Sequence, residues 1–424
     1  MRLTDDEKAM LDGKEGRTRQ KAIEFLIKYG AALGAESLVD TNNVAGYMIA
    51  NRANYRKFGG DFDAMFSLMC LDSEERLEFP RVKAVSCQLE TDMDPEFREI
   101  TGKDDEDCKR YKENEEWLAS KGIQLMCTCT PYLVGNVPVK GEHCAWMESS
   151  AVVYINSVLG ARTNCEGNTS TTAAMLTGKI PYWGFHTDEH RLGTHLINVE
   201  IDVQGSMEWG LLGYYIGKAA GEKIPVLNNI KKIPTRDDLK QFGAATASSG
   251  GVEMYHIPGI TADARTVEEA FGGKKPLYTL KYGFEERKYA YDQLNLIGKN
   301  TDVDFVMLGC PHNSIQEIQE ICNLIEGKRI RDGVSFWVLT PRSIKDLADR
   351  NGFTKIMNEF GGVLMADTCP ALGRLMPKEA KVMATNSAKQ GHYLPSMMGI
   401  EAWYGTTGDC INAAITGRWE GELK

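Results

Sequence analysis

No Cys-x-x-Cys pair occurs among the eleven cysteines of this sequence; the closest spacing is Cys127-Thr128-Cys129. That absence excludes a zinc ribbon, a thioredoxin-type dithiol and a ferredoxin-type cluster run. No apolar stretch reaches the roughly 18–20 residues that a membrane span requires. The opening Met1-Arg2-Leu3-Thr4-Asp5-Asp6-Glu7 is too charged for a signal peptide. A cytoplasmic protein with no membrane partner is therefore expected. Basic charge is scarce as well. A formal net charge of −10 argues against nucleic acid as a partner, and any anion site must be local. A Walker A loop, a dinucleotide fingerprint and a His-Glu-x-x-His zinc helix are all missing.

What is present is a chain of 424 residues, 42% hydrophobic and 25% charged. That suffices for a sizeable core and two or three domains. In a reducing compartment the cysteines are buried small residues, metal ligands or nucleophiles. Thr4-Asp5-Asp6-Glu7 reads as a helix cap, and Ala22, Ile23, Phe25, Leu26, Tyr29, Ala32 and Leu33 follow at helical spacing. Residues 100–120 read as a charged surface helix, a solvated face without functional weight. Late in the chain, apolar runs at 303–309, 334–339 and 361–365 alternate with helical or turn segments. Such strand-then-helix units predict a parallel α/β sheet, with functional groups on the loops beyond the carboxyl ends of its strands. Cys310 and Cys369 fall on such loops.

Residues 127–195 are the densest in chemistry. Glu148-Ser149-Ser150, Asn156-Ser157 and Gly160-Ala161-Arg162-Thr163-Asn164 set hydroxyls, amides and one Arg among small apolar residues. Backbone can approach a ligand closely there, and a guanidinium grips a carboxylate. Ordinary caps in a polar loop are the plain alternative. His186, His190 and His195 lie close together, but a single histidine acting as proton carrier or donor is preferred over a metal trio. Four cysteines sit beside turn residues, as loop-borne ligands do: Cys129 before Thr130-Pro131, Cys310 before Pro311, Cys369 before Pro370, and Cys410 after Gly408-Asp409. Any one of them alone reads more simply as a buried small residue. Ala247-Ser248-Ser249-Gly250-Gly251 reads as a small-residue turn that could take an anion on its backbone N–H groups. Thr385-Asn386-Ser387-Ala388-Lys389 joins a hydroxyl and an amine in a way that suits a carboxylate.

Taken in order, these segments resemble the catalytic part of the aconitase X family over residues 1–424. The resemblance rests on Thr128-Cys129-Thr130-Pro131-Tyr132, Glu148-Ser149-Ser150-Ala151, Asn156-Ser157 and Gly160-Ala161-Arg162-Thr163-Asn164. It continues with Leu308-Gly309-Cys310-Pro311-His312, Asp367-Thr368-Cys369 and Asn386-Ser387-Ala388-Lys389. It implies aconitase-like α/β/α domains with mostly parallel sheets around a metal site, the swivel domain being absent from this chain. A working division is 1–125 as a helical and mixed segment, 126–300 as the central substrate-pocket region, and 301–424 as the C-terminal α/β region.

The resemblance also implies an iron–sulfur cluster (2Fe-2S or 4Fe-4S) or a mononuclear iron. It implies a hydro-lyase, active together with a small swivel-domain subunit that carries a catalytic serine. The substrate is then a small hydroxy acid, first of all cis-3-hydroxy-L-proline, dehydrated to 1-pyrroline-2-carboxylate. Phosphomevalonate is the alternative, and a non-catalytic iron-responsive binding protein is an alternative of another class. On this resemblance Cys129, Cys310 and Cys369 are metal ligands, with Cys410 in reserve. Arg162 and Lys389 are carboxylate clamps, and Asn156, Ser157, Thr163, Asn164, Ser248, Ser249 and Ser387 meet the substrate. Glu148, Ser149 and His186 are catalytic, His186 as the acid for the departing hydroxyl.

Overall fold

The computed structural model describes residues 1–424, and three all-parallel sheets organise it. The first is four-stranded, in the spatial order Ile123–Gln124, Val85–Gln88, Asn43–Gly46, Ala145–Trp146. Thr4 caps the first helix, accepting from the Glu7 N–H at 3.3 Å while Glu7 accepts from the Thr4 N–H at 2.8 Å. The next helix, Arg17–Ala32, buries Ala22, Ile23 and Leu26 against the helix Asn168–Thr177. Ala145–Trp146 and Asn168–Thr177 come from beyond residue 125, and both pack with this N-terminal body.

Residues 105–120 form the expected charged helix, but its inner face is not solvated. Arg110 is 1% exposed; it donates to the Ala50 carbonyl at 2.5 Å and to Asp92 at 2.8 Å. Asn114 accepts from the Ala50 N–H at 2.7 Å and donates to the Met48 carbonyl at 3.0 Å. The helix thus clamps the segment that follows strand Asn43–Gly46. Its buried polar groups are there to satisfy that segment's backbone.

The second sheet has the order Pro225–Asn228, His195–Val199, Tyr278–Tyr282. Two long helices, Ser206–Ala220 and Arg236–Gly250, pack on each other beside it. Ser248 and Ser249 belong to the last turn of Arg236–Gly250 and not to an anion-binding turn, which corrects the sequence reading. Their hydroxyls donate to the Ala244 and Ala245 carbonyls at 2.7 and 2.9 Å. The small residues serve helix contact. A Cβ on Gly217 would lie 2.0 Å from Ser249 Oγ and 2.6 Å from the Thr246 carbonyl oxygen.

The third sheet holds five parallel strands in the order Val363–Ala366, Ser335–Thr340, Phe305–Leu308, Val382–Thr385, Glu401–Tyr404. The three expected strand–helix units supply its first half. Chain direction across the sheet reverses between Phe305–Leu308 and Val382–Thr385. At such a switch point the two following loops diverge and open a crevice beyond the carboxyl ends. Those loops carry Cys310 and Ser387. No helix is long and apolar enough to cross a membrane.

The close helix contact gives a direct test. Gly217→Val should lower stability by about 1–3 kcal/mol through overpacking, read as a lower urea midpoint with an unchanged slope.

Candidate active site

The first and third sheets send their carboxyl ends toward one region. From the first sheet, Tyr47 follows strand Asn43–Gly46, and Glu90 follows Val85–Gln88. Cys129 lies on the loop after Ile123–Gln124, and Glu148 follows Ala145–Trp146. From the third, Cys310 follows Phe305–Leu308, Cys369 follows Val363–Ala366, and Ser387 and Lys389 follow Val382–Thr385. Ser387 caps the helix Ala388–Met398, accepting from the Gln390 N–H at 3.1 Å, and its hydroxyl donates to the Cys310 carbonyl. That cap aims Lys389 at Glu148, where its ammonium donates to Glu148 Oε1.

Glu148 and Glu90 are separated only by the Tyr47 hydroxyl, which lies 2.8 Å from Glu148 Oε2 and 2.5 Å from Glu90 Oε1. Glu148 also accepts from Ser150 Oγ at 2.9 Å. Burial would raise its carboxyl, but Lys389 and these hydrogen bonds outweigh that and hold it down to about 2. Burial, with the Glu148 charge beside it, pushes Glu90 up to about 8. A proton count agrees. The tyrosine has one hydrogen and serves the ionised Glu148, so a carboxyl group close on its other side must bring its own.

The three thiols share the same neighbours. Burial above all keeps them protonated. Glu90 and Cys310 add to this at Cys129 and Cys369, and Lys389 opposes it. Cys310 is pushed up to about 11, burial outweighing Lys389. Two of the sulfurs face a donor that favours thiolate: the His312 N–H donates to Cys129 Sγ at 3.3 Å, and the Leu372 N–H opposes burial at Cys369. Such thiols ionise when a cation binds among them.

Other expected residues lie elsewhere. Cys410 is fully buried in the C-terminal core beside Val306 and Ile411, and burial raises it well above the ordinary thiol range. His186 is fully buried with Nδ1 3.0 Å from His143 Nδ1; burial, then His143, lowers it to about 3, so it is neutral near pH 7. Arg162 pairs with Asp188 and donates to the His186 carbonyl at 2.8 Å. Asn156 and Thr163 bond to each other across a π-helical turn, Ile155–Leu159. Ser157 Oγ accepts from the Tyr255 N–H at 2.9 Å, and Asn164 Oδ1 from the Phe185 N–H at 2.9 Å. Ser149 opens the helix Ser149–Tyr154, half-buried. Glu90, Tyr47 and His312 were not singled out from the sequence as site residues. Their position just past parallel strands is the signal that finds them.

Family models of aconitase X match the chain in three parts: the first domain over residues 1–189, the second over 193–292 and the third over 303–416. The chain belongs to the aconitase X family. It is similar to the phosphomevalonate dehydratase large subunit of Methanocaldococcus jannaschii, 36% identical over 413 residues, 96% of this chain and 98% of that one. It is similar to the cis-3-hydroxy-L-proline dehydratase of Hypocrea jecorina, 30% identical over 440 residues, 99% of this chain and 70% of that protein. The crystal structure of Thermococcus kodakaraensis aconitase X in its holo-form matches with a TM-score of 0.83 and 30% identity, covering 98% of this chain and 100% of that chain. These relatives are named dehydratases, and this aconitase X chain is a hydro-lyase of the same kind. The aconitase-like family implies an iron–sulfur group. Three thiols brought from three loops to the same buried carboxylates and lysine are a donor set that fits one.

Lys389→Met tests the pair. In the wild type Glu148 is depressed, so its stabilisation is full above about pH 4.5 and is lost as pH falls through about 2. Without the cation the buried carboxyl rises above its unfolded value, and the variant loses stability as pH increases. The deficit should reach about 3–5 kcal/mol near neutrality and shrink toward pH 4.5 in denaturant melts.

Proposed function

We propose that this chain is the large subunit of a dehydratase that removes water from a small hydroxy acid, with cis-3-hydroxy-L-proline as the first substrate. One observation carries this reading: Tyr47 bridges Glu90 and the lysine-paired Glu148 beside three thiols. An iron–sulfur group on Cys129, Cys310 and Cys369 would supply a Lewis acid for the departing hydroxyl. Side chains of His, Cys, Asp and Glu nowhere converge in threes closely enough to hold one metal ion.

The chain's own residues handle the proton that accompanies the hydroxyl. Glu90 Oε2 is buried and has no partner within the chain. Glu90 gives its proton to the hydroxyl, which leaves as water, and the Glu90 carboxylate so formed is reprotonated from solvent before the next turnover. Hydroxide is a poor leaving group, so a general acid there contributes to the rate directly. Proton loss beside a carboxylate builds an enediolate-like dianion, and the Lys389 charge stands against it. The proton removed from carbon goes to a base on a small swivel-domain subunit, which also brings a catalytic serine.

Phosphomevalonate is the second reading, favoured by the 36% identity to an archaeal large subunit. Against it, the cations just past the third-sheet strands are already paired: Lys389 with Glu148, Arg342 with Asp94 and Asp367, and Lys345 with Glu96. A phosphate would need a partner from elsewhere.

Reconstituted with iron, sulfide and its small subunit, the enzyme should form 1-pyrroline-2-carboxylate from cis-3-hydroxy-L-proline, and the large chain alone should not. Turnover of phosphomevalonate instead would replace the substrate reading, and full activity of the large chain alone would remove the two-subunit one. Glu90→Gln should cut kcat by about 10²–10⁴. It should also melt higher than wild type near pH 9, because the raised Glu90 makes wild-type stability fall as pH climbs through about 8.

A further inference from the structure

One imidazole joins all three cysteine loops. His312 is 2% exposed and lies two residues beyond Cys310. Its Nδ1 is 2.9 Å from Thr128 Oγ1, on the residue before Cys129. Its Nε2 is 3.0 Å from the carbonyl oxygen of Thr368, on the residue before Cys369. Its backbone N–H donates to Cys129 Sγ at 3.3 Å, and its carbonyl accepts from Lys240 Nζ at 3.1 Å.

The roles of the ring nitrogens follow from their partners. A carbonyl only accepts, so Nε2 carries the hydrogen and Nδ1 accepts from the Thr128 hydroxyl. Both nitrogens are thereby used within the protein, and the ring has no hydrogen-bonding capacity left for a substrate. Thr128 Oγ1 in turn accepts from the Thr130 N–H at 3.1 Å, which fixes the turn on the far side of Cys129. Around Cys369, the Thr91 N–H donates to the Asp367 carbonyl at 2.8 Å and the Cys369 N–H to the Thr91 carbonyl at 2.9 Å. Arg342 holds Asp367 and Asp94 behind that turn at 3.1 and 2.9 Å.

His312 therefore sits where all three matched domains meet: Thr128 from the first, Lys240 from the second, and Thr368 with its own loop from the third. Lys240 is itself buried and held by Glu317 and Asp237. Nothing else in the structure ties the Cys129 loop to both the Cys310 and the Cys369 loops through one side chain.

We propose that His312 is a positioning residue that sets the spacing of Cys129, Cys310 and Cys369 before the iron group binds, by anchoring their three loops to one ring. This rests on the reading that those three thiols hold the group. Groups that orient metal ligands from behind change metal retention by about 10–100-fold when removed. Here the orienting bonds reach the ligands' neighbours and one sulfur, so the effect falls on the geometry of the whole set.

The test uses the full chain in two forms. In the metal-free protein, iodoacetamide labelling followed by mass spectrometry reads each thiol. His312→Ala should speed labelling of Cys129 and Cys369 by at least about tenfold through local opening, with buried Cys410 unchanged as the internal control. In protein reconstituted with iron and sulfide, loss of the visible absorbance to a chelator should be about 10–100-fold faster in His312→Ala. Thr128→Val keeps the shape and removes only the hydroxyl, so it should show a smaller effect confined to Cys129. His312→Gln, which can still donate to the Thr368 carbonyl, should restore part of the wild-type behaviour at Cys369. Should His312→Ala not fold, Thr128→Val and His312→Gln carry the comparison.

Labelling rates within twofold of wild type in the folded variants would overturn the proposal. Separately, Cys129→Ser, Cys310→Ser or Cys369→Ser protein that gains and keeps the full absorbance would overturn the ligand reading on which it stands.

Discussion

The ion pair between Lys389 and Glu148 decides the protonation of everything near it. It joins the first domain to the third across 241 residues of sequence, and both side chains are largely buried. A buried pair of this kind gains little net stability, because desolvation of both charges opposes their attraction. Its value here is the state it fixes. With Lys389 in place Glu148 is ionised, and an ionised Glu148 takes the Tyr47 hydrogen. Tyr47 can then only accept from Glu90, so Glu90 is left as the acid. The same ammonium opposes the neighbouring carboxylates at each thiol. One cation thereby separates two chemically equal glutamates into different roles, which is the arrangement acid–base catalysis needs.

That pairing is possible only because two parallel sheets point their carboxyl ends at each other. Parallel strands put all their outgoing loops at one end, so four short strands of the first sheet deliver Tyr47, Glu90, Cys129 and Glu148 together. The third sheet answers from its switch point with Cys310 and Lys389, and from its far side with Cys369. The clamp by Arg110 and Asn114 on residues 48–50 then belongs to the site's support, since it fixes the backbone just past Tyr47.

Much of this was readable from sequence where the signal is local. The capping box at Thr4, the three strand–helix units after residue 302, and the loop placement of Cys310 and Cys369 follow from periodicity and turn chemistry. Partner choice is not local, and there the reading strayed. Arg162 looked free for a carboxylate, but Asp188 and the His186 carbonyl take it. Ser248 and Ser249 looked like a turn because small residues also permit the close crossing of two helices. Residues 100–120 looked solvated because their charges outnumber the three polar groups turned inward, Asp107, Arg110 and Asn114. Glu90 and Tyr47 stand past four-residue strands with no flanking motif. Only the pairing of those strands brings them to Glu148.

The protonation states also say what these loops lack. An elimination needs a group that takes a proton as well as one that gives it. Glu90 is a donor, and Lys389 is an ammonium held by its carboxylate. Glu148 is ionised, but it already accepts from Lys389, Tyr47 and Ser150. A carboxylate held to about 2 by three donors is a weak base. His312 is neutral, burial lowering it to about 4, yet both its nitrogens are bound to Thr128 and Thr368. Every basic group on these loops is therefore either protonated or committed. The chain is built to receive a leaving hydroxyl and to steady the charge that develops. The base that starts the reaction has to enter from outside these loops, and this is the physical ground for placing it on the proposed small subunit.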